Sequence, residues 1–88
     1  MPERSLQVQN SHGIHARPAA EIVKTAARFA AHITLVRDDL EVNGKSIMGV
    51  MMLAAECGAT VIVRAEGDDA LAALDALEAV FAGKFGED

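Results

Sequence analysis

Leu6 and Val8 alternate with Ser5, Gln7 and Gln9, and this period of two predicts a strand with one buried face near the start of the chain. The period then lengthens. Ala19, Ile22, Val23, Ala26 and Ala30 recur at helical spacing with Phe29 alongside, while Glu21, Lys24 and Arg28 fall mainly on the other side, so an amphipathic helix follows. Alternation returns after His32, with Ile33 and Leu35 set against Thr34. A turn at Asp38 and Asp39 and a short strand carrying Leu40 and Val42 complete a hairpin, followed by an Asn43, Gly44 turn. A short helix is expected from Ile47 to Ala55, broken by Gly58, and Val61, Ile62 and Val63 form a last strand. Gly67, Asp68 and Asp69 supply the break and N-cap of a final helix. Leu71, Leu74, Leu77, Val80 and Phe81 line one of its faces as far as Gly83.

The predicted order is βαββαβα. No helical stripe is wide enough for burial on all sides, and polar residues alternate with apolar ones in the strands. Helices packed on one face of a sheet whose other face is wet satisfy both, which gives a two-layer α+β fold in the split βαβ manner. No repeat, low-complexity stretch or Pro/Gly linker divides the chain, so residues 1–88 are expected to form one domain. A chain of 88 residues is large enough to fold alone. It buries only about 60 to 65% of its unfolded surface.

Composition removes several classes of function. Hydrophobic residues make up 51% of the chain. Even so, no apolar run approaches the ~18 residues of a membrane span, and the first ten positions lack the apolar stretch of a secretion signal. A cytoplasmic protein with no membrane insertion is expected. The single Cys57 has no partner for an internal disulfide, suits a reducing compartment and reads as a small, partly buried filler. The net charge of −5 and the lack of Trp and Tyr disfavour nucleic-acid binding, because there is neither a basic field nor a stacking platform. The scarce positive charges matter more for that reason. Arg17, Lys24, Arg28 and Lys45 are either a basic rim around a site or ordinary solvated charges.

Chemistry concentrates in Gly13, Ile14, His15, Ala16, Arg17, Pro18, Ala19 and Ala20. Gly13 suits a tight turn, Pro18 fits the first helical turn where its missing N–H is not needed, and the alanines propagate a helix. His15 therefore stands where a loop becomes a helix. Unpaired backbone N–H groups and the helix dipole stabilise an anion there, and Arg17 adds a full positive charge. An ordinary imidazole is mostly neutral at pH 7, the form that acts as a nucleophile. After phosphorylation, Arg17 and the N–H groups of Ala16 and Arg17 are placed to bind the added charge. The plainer alternative is a histidine that only caps the helix or faces water.

This octet resembles the active-site signature of HPr, the histidine-containing phosphocarrier family of the bacterial phosphoenolpyruvate-dependent sugar phosphotransferase system. A second segment, Asn43 to Met51 (NGKSIMGVM), resembles the family's regulatory region at a matching separation, and the similarity runs from about Ser5 to Lys84. The resemblance implies an open-faced sandwich of four antiparallel strands with three helices on one side. It implies that His15 takes phosphate on Nδ1 from phosphorylated enzyme I and passes it to IIA components of sugar permeases. It also implies that Ser46 is the target of an HPr kinase/phosphorylase, producing a form read by a catabolite-control transcriptional regulator. The protein is then a carrier and a substrate of partner enzymes, with no cofactor, and is expected to be a monomer.

Ser46 is also a good N-cap by its chemistry alone, and capping is compatible with regulation. On the short helix after it, Met48, Met51, Met52 and Ala55 share one side, while Val50, Leu53, Ala54 and Cys57 fall toward another. Packing is expected for Met52. By resemblance, Ile47, Met48 and Met51 form an exposed apolar patch for partners, where flexible thioethers suit several surfaces in turn. No Gly-rich phosphate loop or recognisable pair of catalytic carboxylates is present, so catalysis by the chain alone is not expected.

Two other readings compete with this one. Metal binding by His12, His15 and His32 lacks convincing further ligands. The other rival is an HPr paralogue that signals as an interaction module, for example in a nitrogen-related branch. His15 argues against paralogues that lack the histidine. Two positions depart from the family pattern: His12 stands where a small polar residue is usual, and Cys57 follows Glu56 where a basic residue is common, which thins the expected positive rim.

Overall fold

The computed structural model describes residues 2–86. Its elements are β1 (Glu3–Gln7), α1 (Ala16–Ala26), β2 (His32–Arg37), β3 (Leu40–Asn43), α2 (Ile47–Met52), β4 (Thr60–Glu66) and α3 (Ala70–Ala82), with a 3-10 turn at Lys84–Gly86. The sheet order is β1-β4-β2-β3, and every neighbouring pair is antiparallel. This is the expected βαββαβα sandwich with three helices.

Alternation places Leu6, Ile33, Leu35, Val61, Val63 and Ala65 in the core, with Leu35 directly opposite Val63. Ala19, Ile22 and Ala26 of α1, Val50 of α2, and Ala73, Leu74, Leu77 and Phe81 of α3 cover that face. The small residues of α1 and α3 let both helices sit close to the sheet and to each other. Phe81 anchors the far end, its ring stacked edge-on to Phe85 at 4.9 Å between centroids.

Several sequence expectations need correction. The first helix stops at Ala26 instead of running through Ala30. Arg28 and Phe29 bond back only three residues, to the Thr25 and Ala26 carbonyls, so Ala30 lies in an exposed turn while Phe29 still packs against the core. Residue 54 takes a positive φ of 50°, which ends α2 at Met52 rather than Ala55. Leu71 is 62% exposed, because Ala70 and Ala73 form the close contact that the larger leucine was expected to make. Met52 is 64% exposed rather than packed, and Cys57 lies at the surface. Asp69 stands at the N-cap position of α3, but its side chain caps no N–H of that helix. Its carboxylate instead accepts from the Ala30 and Ala31 N–H groups, both at 2.8 Å, and ties the turn between α1 and β2 to the start of α3.

Candidate functional site

The loop before α1 is held from three directions. Asn10, fully buried, donates from Nδ2 to the Gly13 carbonyl at 2.7 Å, and the Gly13 N–H returns to the Asn10 carbonyl. Gly13 has φ of +70°, and a Cβ there would lie 2.5 Å from the Ala55 carbonyl oxygen. Only glycine fits that approach. Ile14 buries its side chain and donates its N–H to the same Ala55 oxygen at 2.8 Å. The chain then emerges at His15.

His15 is the N-cap residue of α1, with extended backbone angles and an exposed side chain that caps no N–H of the helix. Its carbonyl accepts the Ala19 N–H at 2.9 Å, which starts the helical ladder. Ala16 and Arg17 precede any residue with an intrahelical acceptor, and Pro18 has no N–H, so two backbone donors point out of the helix end beside the imidazole. Arg17 is exposed on the first turn. The His12 ring stands edge-on to that of His15, 6.2 Å between centroids. An exposed imidazole at a helix start, with amide donors there and an arginine two residues on, has the groups that can take and hold a phosphoryl group.

The other basic residues do not gather around His15. Lys24 and Arg28 lie toward the opposite end of α1, roughly 12 Å or more along the axis at 1.5 Å per residue. The Lys45 Nζ donates to the Phe29 carbonyl at 2.7 Å, and the Arg28 guanidinium lies 5.6 Å from the centre of the Phe29 ring. Lys45 and Arg28 thus meet at Phe29, next to the start of α2.

Ser46 opens α2 with extended angles, and its Oγ accepts the Gly49 N–H at 3.1 Å. Asn43 Oδ1 accepts the Lys45 N–H and shapes the turn before it. Beyond Ser46 the helix exposes Ile47, Met48 and Met51, with Met48 at 76%. Val50 is the residue that anchors this short helix to the core.

Sequence reasoning gave no role to Asn10 or Arg37. Asn10 carries a local signal, three residues before a glycine that needs a turn. Arg37 carries none. Its guanidinium reaches from the end of β2 to the Leu53 and Ala54 carbonyls at 3.1 and 2.7 Å, and it pairs with Glu56. The residue's own backbone N–H and the Arg37 guanidinium hold the Glu56 carboxyl below its usual range.

A single open-faced sheet covered by three helices, with an exposed histidine at the start of the first, defines a small group-carrier class. A family model described as the PTS HPr component phosphorylation site matches residues 2–83. Phosphocarrier protein HPr of Treponema pallidum is 51% identical over 88 residues, covering the whole of both chains, and that of Xylella fastidiosa strain Temecula1 is 46% identical over all of this chain and 99% of its own. A crystal structure of HPr from Thermoanaerobacter tengcongensis superposes with a TM-score of 0.95 at 44% identity, over 100% of this chain and 99% of that one. The chain belongs to the HPr family of phosphocarrier proteins of the phosphotransferase system, whose members carry phosphate and are not enzymes. Among the described residues no helix is long and apolar enough to cross a membrane.

Proposed function

We propose that His15 accepts a phosphoryl group from phosphorylated enzyme I and passes it to IIA components of sugar permeases, in the cytoplasm and as a monomer formed by one carrier domain. The observation that carries this reading is an exposed His15 at the N-cap of α1 in a chain matched along 2–83 by the family's phosphorylation-site model. A lone pair of the imidazole, Nδ1 by family likeness, attacks phosphorus as the bond to the donor breaks. The same exchange run toward a IIA component empties the carrier. Arg17 and the N–H groups of Ala16 and Arg17 steady the dianion between the two steps. The large partners supply the remaining catalytic groups, since transfer needs mainly positioning and charge.

Partners dock on Ile47, Met48 and Met51, with Lys24, Arg28 and Lys45 as the positive border of that surface. In hosts with an HPr kinase/phosphorylase, Ser46 is the regulated residue. A phosphate there places close to two negative charges beside the docking patch, while the helix start tolerates them. A catabolite-control regulator then reads the modified face.

The test is to incubate the protein with phosphoenolpyruvate and enzyme I and to locate acid-labile phosphate. His15→Ala removes all of it and Ser46→Ala leaves it in place. Label persisting in the His15→Ala protein contradicts the proposal.

A further inference from the structure

The 53–56 segment is the floor under the His15 loop. Its Ala55 carbonyl accepts the Ile14 N–H at 2.8 Å, one residue before His15, and its backbone is what a side chain at Gly13 would strike. The segment has no regular structure of its own and leaves α2 through a positive φ at Ala54. One side chain grips it from outside. Arg37 donates to the Leu53 and Ala54 carbonyls and pairs with Glu56, so a single guanidinium bonds on both sides of Ala55. A planar fork with several fixed donors suits this arrangement, whereas a lysine ammonium is a point charge on a flexible stem.

We propose that Arg37 is a positioning residue for His15, acting through the 53–56 segment that it clamps. The inference rests on His15 being the phosphoryl acceptor. Holding Ala55 fixes the Ile14 amide, Ile14 fixes the backbone of His15, and the imidazole is thereby aimed at an incoming phosphorus. Displacement of a reacting group by about 1 Å costs up to roughly a hundredfold in rate, so the clamp is worth measuring in turnover.

The experiment compares Arg37→Ala, Arg37→Lys and Glu56→Gln with the parent protein in two readouts. In amide hydrogen exchange followed by NMR, the Ile14 N–H of Arg37→Ala exchanges roughly tenfold faster, while the Gly44 N–H, bonded to the Ile33 carbonyl in the adjoining hairpin, keeps its protection. In phosphorylation by enzyme I, kcat falls about tenfold and KM changes less than twofold, because the docking patch on the first turns of α2 is untouched. Arg37→Lys lies between the parent and Arg37→Ala. Glu56→Gln weakens the ion pair alone and leaves the two Arg37 bonds to the Leu53 and Ala54 carbonyls, so it keeps a folded protein in the series, and it gives a smaller change of the same sign at Ile14.

Unchanged exchange at Ile14 in both Arg37→Ala and Glu56→Gln, or equal acceleration at Ile14 and Gly44, overturns the positioning role. If His15→Ala still accepts phosphate, it is the assignment of the acceptor that fails. That result is separate from the exchange data.

Discussion

An added methyl at Gly13 meets backbone that cannot rotate away, which makes this residue the least replaceable one near His15. Gly13→Ala carries a backbone penalty of roughly 1–2 kcal/mol for the left-handed conformation, with the clash against Ala55 on top of it. A urea unfolding curve should show a lower midpoint with an unchanged slope. Ser46→Ala is milder. It removes the Oγ that accepts the Gly49 N–H and should cost about 1 kcal/mol, while phosphate uptake at His15 is retained. The octet around His15 is readable because each residue type has a local reason to be there. Asn10 has one as well, three residues before Gly13, whereas Arg37 does not, since its value depends on carbonyls that only folding brings within reach.

Helices and connecting loops show where pattern reading succeeds and where tertiary packing overrides it. The stripe on α3 was correct for Leu74, Leu77 and Phe81 and wrong for Leu71, because the close contact is made by alanines that a search for large apolar residues passes over. Leu74→Ala should therefore cost about 2–5 kcal/mol, and Leu71→Ser should stay within about 0.5 kcal/mol of the parent in thermal unfolding. Asp69 joins the start of α3 to the turn between α1 and β2, which sequence distance keeps apart. Asp69→Ala strands two backbone N–H groups and should cost about 2–3 kcal/mol. The 53–58 loop adds a dependence on pH. The Glu56 carboxyl is held below its usual value, so its pairing with Arg37 supports the fold above the unfolded value of 4.5 and is lost as pH falls through the lower, folded value. The difference in unfolding midpoint between Glu56→Gln and the parent should be present near neutral pH and vanish in acid.

At the scale of the whole molecule, the order of elements and the one-sided sheet follow from periodicities of two and 3.6 residues, expressed most cleanly in β4 and α1. The strand order β1-β4-β2-β3 does not follow from those periods, because β1 and β4 pair across more than fifty residues. The resemblance supplied four antiparallel strands but no order, which only the fold itself shows. The same fold sets His15 and Arg17 at the start of α1, and brings Lys45 and Arg28 together at Phe29, past the end of α1 and before α2. The most direct measurement of the carrier claim is NMR of the imidazole nitrogens and backbone amides before and after phosphorylation by enzyme I. The account predicts a phosphorus substituent on a His15 ring nitrogen, with the largest amide shifts at Ala16 and Arg17. A substituent on His12 or His32 with the His15 resonances unmoved would contradict it.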